Sequence, residues 1–384
     1  MASGTTGLRC RLFPESQDER TQRSTQSLGY SAMESTEGVR QFHQQSGGRF
    51  AAHFQAVAHR ASEDLKPQVR WETARHWAGA SPDGNLQRLD KEAIIILEQE
   101  LANLLHAIHL AHSLRQWTLV CQLADGLAVF FNRRSHWSDW VQVAELAVAD
   151  AESVSNLRLK AEALNNLGLV YRHVERLSEA ADCCKRSIDL CRQLDERYCE
   201  GRALGNLGGV YFAENDSRTA LECYETGLHI FENLHDQYGQ AQSLMGMGIC
   251  LARQGKLAEA TSRLESCLSM QRGIGDRFGE AQTLNNLGIV QREQGNISEA
   301  VISFQASLRI KRELRDQHGT ALALSNLAVA YQQSGDIDQE IAAREEACSL
   351  LNSLHSPAVD RMARRLAHAR VRRQRQQEDG TGIA

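Results

Sequence analysis

The chain has 384 residues, a formal net charge of −5 and only 4 prolines. The small net charge argues against a nucleic-acid partner for the whole molecule. The scarcity of proline favours long helices, because a proline inside a helix costs about 3 kcal/mol. The longest apolar runs, 93–97 and 127–131, are far shorter than the roughly 20 residues that cross a bilayer. We therefore expect a soluble, cytoplasmic protein without a membrane partner.

The N-terminal third divides into two predicted regions. Residues 1–48 are rich in Ser, Thr, Gln and Gly, so we predict a disordered tail. A targeting peptide is disfavoured because Glu15, Asp18 and Glu19 are acidic. Residues 49–116 are predicted to form a helical linker or capping region, with helices over 49–80 and 89–112 and a loop at 80–85.

The central region is built from a 40-residue repeat. The segment Ala163–Tyr171 (ALNNLGLVY) returns at Ala203–Tyr211 and then from Ser243, Thr283 and Ala323. A constant spacing of this length is typical of a solenoid, whose units bury their apolar faces only by stacking on one another. A degenerate first copy makes six predicted units, at 117–156, 157–196, 197–236, 237–276, 277–316 and 317–356. The sequence predicts an all-α fold.

Each unit is predicted to be a pair of helices. In the first regular unit they cover 157–174 and 178–194. Gly255, Gly295 and Gly335 follow the first helix of later units, where glycine can adopt the left-handed conformation that ends a helix. Aspartates at the unit boundaries, such as Asp236 and Asp276, are expected to cap the next helix.

The C-terminal region, 357–384, is predicted to be a capping helix and tail. Val359, Met362 and Leu366 can cover the last repeat, as solenoids require. The other side holds seven arginines between Arg361 and Arg375. A basic helix of this kind can contact nucleic acid or an anionic surface, but a solvated capping face is favoured.

The repeat resembles a known family. Leu167, Gly168, Tyr171 and Ala180 look like the signature of the tetratricopeptide repeat, and the 40-residue spacing resembles that of kinesin light chains and G-protein-signalling adaptors. This resemblance implies a right-handed α-solenoid that binds peptides on its concave side. The last copy departs from the signature, with Ala328 in place of glycine.

A second resemblance concerns the linker. Residues 49–58 and 97–111, together with Trp117 and Trp137, resemble the connecting helices of NB-ARC or STAND signalling ATPases. The chain has no GxxxxGK[ST] loop to hold phosphates. The resemblance therefore implies a sensor half without a nucleotide-binding domain.

The first helix of each unit carries the candidate site. Four of five inner positions are asparagine, and Gly246 is the exception; the four are Asn166, Asn206, Asn286 and Asn326. A side-chain amide both donates and accepts, which suits the backbone of an extended peptide. The tetratricopeptide resemblance implies the same role. The alternative is that these asparagines bond neighbouring helices to each other.

Arginines accompany the asparagines on this face, at Arg172, Arg202, Arg253 and Arg292. A guanidinium group matches a carboxylate, so the partner is predicted to be a protein or peptide that is possibly acidic. Glu162 and Glu293 reduce the net positive charge of this face. The lysines of the chaperone-binding carboxylate clamp are absent from the corresponding positions.

No catalytic, metal or cofactor site is predicted. No GxSxG motif is present, and the 10 cysteines include no CxxC pair. His106, His109 and His112 have no suitably spaced further ligand and are predicted to face solvent. We therefore expect a non-catalytic scaffold. The alternatives are a regulatory module of a STAND-type ATPase and, ranked last, a transcriptional regulator that uses the arginine-rich helix. The sequence predicts no oligomeric state.

Overall fold

The computed structural model describes residues 51–59, 82–354, 356 and 358–381, and this part of the chain contains fifteen helices and no strand. The tail predicted to be disordered at 1–48 lies outside the described residues, as do most residues of the helix predicted over 49–80. The prediction of an all-α solenoid is confirmed.

The array begins with α1 at 51–59 and α2 at Pro82–Ser113. The loop predicted at 80–85 is wrong from Pro82 onward, because that stretch is already helical. Proline is well tolerated in the first turn, where its missing N–H has no partner in the helix anyway. The polar residues from Pro82 to Asn85 therefore form the beginning of α2 and not a loop.

Twelve helices of similar length follow as consecutive pairs. They are α3 Trp117–Arg134, α4 Trp137–Ser153, α5 Leu157–His173, α6 Leu177–Gln193, α7 Arg197–Ala213, α8 Ser217–Asn233, α9 Gln237–Arg253, α10 Leu257–Gly273, α11 Arg277–Glu293, α12 Ile297–Glu313, α13 Gln317–Ser334 and α14 Ile337–Ser353. Each helix packs against the next one along the chain, so the array is a solenoid.

Two local features set the turns. Gly255, between α9 and α10, has a φ of 76°, the left-handed conformation that was predicted there. Glu175 adopts a similar φ of 62° between α5 and α6, so glycine is not obligatory at this turn. Asp236 and Asp276 cap α9 and α11 by accepting from backbone amides, which confirms the predicted caps.

The helices of a pair approach closely where small residues meet. A Cβ atom added to Gly168 of α5 would lie 2.6 Å from the Cys184 sulfur and 3.2 Å from the Ala180 carbonyl of α6. Any larger residue at 168 would push the two helices apart. Gly168 therefore allows the close approach of α5 and α6, and Gly208, Gly248 and Gly288 are also crowded in the next three pairs.

The N-terminal helices share the core of the first repeats. Leu97, Leu104 and Ile108 of α2 are fully buried in one apolar cluster with Phe54 of α1 and residues of α3 to α7. The stretch Ala93–Ser113 is long and apolar enough to cross a membrane by length and composition alone. Its buried face shows that it also serves as a core helix. The cytoplasmic location stays a prediction.

The C-terminal helix α15, Val359–Thr381, covers the last pair. Met362 is 6% exposed and Ala369 is fully buried, and Met362 belongs to the same apolar cluster as Ala347 and Leu351 of α14. Glu340 of α14, only 1% exposed, accepts from Arg344 and from Arg372 of α15. The helix is therefore fastened by apolar contacts and a buried ion pair.

Candidate functional site

The first helices of successive pairs contact one another, and we call the face on which they meet the inner surface. We define it by the positions equivalent to Glu162, Asn165, Asn166, Leu169, Arg172 and His173. These side chains project from α3, α5, α7, α9, α11 and α13. Contacts between successive first helices are made through side chains at these positions. All eight residues of the predicted peptide site lie on these helices.

Three of the four predicted asparagines donate hydrogen bonds to the preceding first helix. Asn166 Nδ2 lies 3.2 Å from Asp125 Oδ1, Asn206 Nδ2 lies 2.8 Å from Asn165 Oδ1, and Asn326 Nδ2 lies 3.0 Å from Asn285 Oδ1. Each bond spans 41 residues, so it links the same two positions of adjacent repeats. We call these three bonds the asparagine ladder. At these three positions the asparagines bond neighbouring helices to each other, which was the alternative to peptide binding.

The ladder is interrupted at α9, where Gly246 replaces asparagine. A Cβ atom at Gly246 would lie 2.4 Å from the ring of Tyr224, and one at Gly208 would lie 3.1 Å from the same ring. Tyr224 of α8 therefore occupies the space between α7 and α9 that an asparagine would need. The residue opposite Gly246 is Gly205, which has open space around it.

Asn286 differs from the other three asparagines. The ladder position opposite it is Met245, which offers no carboxylate or amide oxygen. Asn286 is half-buried, and among the described residues its side chain has no hydrogen-bond partner. Its donors and its acceptor are therefore available to a ligand.

Arg172 and Arg202 lie in the first half of the array and are shielded from solvent. The Arg172 side chain passes close to Gly209, where an added Cβ atom would lie 3.1 Å from Arg172 Nε, and within the described residues this Nε has no hydrogen-bond partner. Burial lowers the pKa of Arg172. Arg202 Nη2 lies 3.5 Å from Asn166 Oδ1, and Asp125 and Glu162 lie near enough to offset its charge.

Arg253 and Arg292 lie in the second half and have different surroundings. Arg253 stacks on the Phe212 ring at 3.4 Å and donates to Asn215 Oδ1 at 3.2 Å. Arg292 is half-buried, and no hydrogen-bond or ion-pair partner for its side chain is present in the described part of the chain. Arg292 and Asn286 thus share helix α11 with unused hydrogen-bonding groups.

Side chains of the first repeat reach across the inner surface. The Arg133 guanidinium lies 5.1 Å from the ring centroid of Phe278 on α11, and Arg134 Nη1 donates to the Arg315 carbonyl between α12 and α13. Arg134 also pairs with Glu98 of α2 at 2.7 Å. The first repeat is therefore in contact with α11 and with the turn between α12 and α13.

A histidine lies beside this crossing. His173, at the end of α5, stacks on Trp137 with ring centroids 4.4 Å apart. Burial, and after it the nearby charge of Arg172, lowers the pKa of His173 to about 3. His173 is thus neutral at physiological pH.

The histidines considered as metal ligands are separated in the structure. His106 and His109 of α2 are exposed, whereas His112 Nδ1 is 2.9 Å from the buried carboxylate of Asp150. Within the described residues, no group of three His, Cys, Asp or Glu side chains could hold a metal ion.

Sequence reasoning missed the residues that accept or block the ladder. Asn165 and Asn285 accept from the following repeat, and Tyr224 removes one rung. The consecutive asparagines at 165–166 and 285–286 were the available signal, since Asn165 and Asn285 are each followed 41 residues later by another asparagine. No local pattern indicates the crossing by Arg133 and Arg134.

Comparison with known proteins agrees with this architecture. The sequence model of the tetratricopeptide repeat matches residues 159–233 and 239–313. No curated protein matches the chain. Among solved structures, it is similar to a Rap protein complexed with competence and sporulation factor, at 12% identity over 86% of this chain and 99% of that chain, with a TM-score of 0.54.

Another similar structure is a signal transduction ATPase with numerous domains, which has a tetratricopeptide repeat sensor and comes from Pyrococcus horikoshii. The identity is 13%, the match covers 88% of this chain and 54% of that chain, and the TM-score is 0.51. At these identities the likeness shows the fold. The family match and the helical pairs together identify residues 159–233 and 239–313 as tetratricopeptide repeats, which lie within an α-solenoid.

Proposed function

We propose that this chain is a protein-interaction module that binds an extended peptide segment on the inner surface of α9, α11 and α13. The observation that carries the proposal is the pair Asn286 and Arg292 on α11, which have unused hydrogen-bonding groups in a half-buried setting. A polar group that is shielded from water and unpaired gains most from a ligand that satisfies it.

Apolar side chains flank these polar groups. Ile249, Ile289 and Val329 occupy the same position of α9, α11 and α13 and are each half-buried. Leu322 of α13 is 49% exposed. An extended peptide needs such contacts for affinity, while side-chain amides fix its backbone. The surface thus combines the two elements that a peptide site requires.

The charge of this region favours an acidic segment. Arg253 and Arg292 can each pair with a carboxylate, while Glu293 is the acidic neighbour on α11. In the first half of the array, Asp125 and Glu162 already offset Arg202. We therefore place the acidic residues of the partner near α9 and α11.

The remaining predicted residues have a supporting role in this proposal. Asn166, Asn206 and Asn326 hold adjacent first helices at a fixed spacing through the asparagine ladder. Arg172 and Arg202 fill the space between helices in the first half. The solved Rap structure supports partner binding by this fold, because that protein is complexed with competence and sporulation factor.

A peptide display library selected on the full chain tests the proposal. The best peptides should contain Asp or Glu, and the double variant Asn286→Ala with Arg292→Ala should weaken their binding by at least about tenfold, the loss expected for hydrogen bonds to charged groups. Fluorescence polarisation of a labelled peptide measures the dissociation constant.

A matched variant separates this effect from a general one. Asn233 and Arg309 are exposed on the second helices α8 and α12, so Asn233→Ala with Arg309→Ala makes the same chemical change away from the inner surface. Its affinity should equal that of the unmodified chain. Equal losses in both double variants, or none in either, would reject the inner surface as the site.

The second candidate is the sensor module of a signalling ATPase. It is favoured by the similarity to the Pyrococcus horikoshii protein, in which a tetratricopeptide repeat is the sensor. Affinity purification of the tagged chain from its native host should then recover an ATPase with a phosphate-binding loop. Recovery of non-ATPase partners alone would rule this candidate out. A lack of catalytic activity stays a prediction.

A further inference from the structure

Two free cysteines, Cys191 and Cys199, lie where α6 meets α7, at positions that hold a large residue and a glycine in the next two repeats. In the next repeat, a Cβ atom at Gly239 would lie 2.3 Å from the side chain of Phe231. One repeat later, a Cβ atom at Gly279 would lie 2.5 Å from Gln271 Nε2. These two positions, eight residues apart, therefore compete for the same space.

Cys191 and Cys199 occupy the equivalent positions one repeat earlier. The turn is the same, because Glu196 N donates to the Cys191 carbonyl at 2.9 Å, as Asp236 N does to the Phe231 carbonyl. Two small side chains thus share the space that one large side chain fills elsewhere. Both residues are buried and lie in one small apolar cluster with Ala161.

We infer that Cys191 and Cys199 form a redox-active pair that closes to a disulfide with hydrogen peroxide as the oxidant. The sulfur of Cys199 attacks a peroxide oxygen and breaks the O–O bond, which gives a sulfenic acid and one water. The sulfur of Cys191 then attacks the Cys199 sulfur, breaks its S–O bond and releases a second water. Two thiols lose two electrons and two protons, and the peroxide becomes two waters.

The order of these steps follows from the surroundings of the two thiols. Cys199 is 7% exposed and Cys191 is 1% exposed, so the oxidant reaches Cys199 first. The neighbouring Cys191 thiol lowers the pKa of Cys199, and Cys199 in turn raises the pKa of Cys191. The disulfide would link the end of α6 covalently to the first turn of α7. Arg202 lies one turn further along α7.

Tryptic mass spectrometry tests the pair directly in the folded full chain. Cleavage after arginine places the two cysteines on separate peptides, Ser187–Arg192 and Tyr198–Arg202. After peroxide treatment and alkylation of free thiols, these peptides should be recovered joined, at their summed mass less two hydrogen atoms. Reduction before alkylation should return both separately.

Variants define the roles of the two sulfurs. Cys191→Ser should leave Cys199 as a sulfenic acid that dimedone labels. Cys267→Ser, which changes another fully buried cysteine, should leave the joined peptides unchanged. The test with the unmodified chain stands even if a variant does not fold.

Three results would overturn the inference. The first is that both cysteine peptides are recovered separately and alkylated, although oxidised methionines show that peroxide reacted with the protein. Another is oxidation of Cys199 to the sulfinic acid without a joined product. The last is a joined product that forms only in urea.

Discussion

Asn206 and Asn286 occupy the same position of two inner helices but have different neighbours. Asn206 donates to Asn165, which is fully buried, whereas the residue opposite Asn286 is Met245. The asparagine ladder therefore stabilises the array at Asn206, whereas Asn286 takes part in no ladder bond and is the residue we propose for peptide binding. Asparagine at this position can therefore join neighbouring helices in one repeat and be available for a peptide in another.

Alanine substitution should separate the two roles. Asn206→Ala removes the hydrogen bond to a buried acceptor, so it should lower the free energy of unfolding by roughly 1–3 kcal/mol. Asn286→Ala should change it by less than about 0.5 kcal/mol, because no bond is lost and alanine is a better helix former. Urea unfolding followed by circular dichroism measures both values. A larger loss for Asn286→Ala would show that it has a structural partner.

The lowered pKa of His173 links stability to pH. Unfolded, this histidine has a pKa of 6.5, and in the folded chain the value is about 3. Protonation therefore favours the unfolded state. The stability that neutral His173 provides is complete above pH 6.5 and is lost as the pH falls from there toward 3.

Substitution of His173 should flatten this dependence. Between pH 7 and pH 5, the unmodified chain should lose about 2 kcal/mol more of its unfolding free energy than His173→Phe, which keeps an aromatic ring against Trp137. The exposed His229 serves as the control, and His229→Gln should behave like the unmodified chain. Identical pH profiles for His173→Phe and the unmodified chain would contradict the buried, neutral state.

Among the elements, α15 is attached by two kinds of ion pair. Arg372 pairs with Glu340, which is 1% exposed and already holds Arg344. Arg370 pairs with Glu345 at 2.7 Å, but both side chains are about half exposed. Solvent screens the second pair, whereas loss of a partner from the first leaves a buried carboxylate with less compensation.

The two arginines should therefore differ on substitution. Arg372→Ala should lower the free energy of unfolding by about 1–3 kcal/mol and speed hydrogen exchange in α14 and α15. Arg370→Ala should cost less than about 0.5 kcal/mol. Equal effects would show that Glu340 remains satisfied by Arg344 alone.

At the scale of the whole molecule, periodic features were predictable and long-range contacts were not. The repeat of Ala163–Tyr171 gives the paired helices, and the aspartates before each unit give the caps, because both depend on residues close in sequence. The contact from Arg133 to Phe278 spans more than three repeats. It depends on the accumulated curvature of the array, to which every interface contributes a small rotation.

The candidate site shows the same division. The inner position of the asparagines followed from helical periodicity, but their partners depend on which residue the neighbouring helix presents. Met245 opposite Asn286 and Tyr224 beside Gly246 decide where the ladder ends. Each of these contacts is made between two different repeats, so the sequence of one repeat alone does not predict it.

Site-specific photo-crosslinking tests the central claim, that a partner lies on the inner surface. Leu322 of α13 is 49% exposed on this surface, and Ile302 of the second helix α12 is 66% exposed. With benzoylphenylalanine at one position or the other, the best library peptide should crosslink from 322 and not from 302. Crosslinking from 302 with none from 322 would contradict the account.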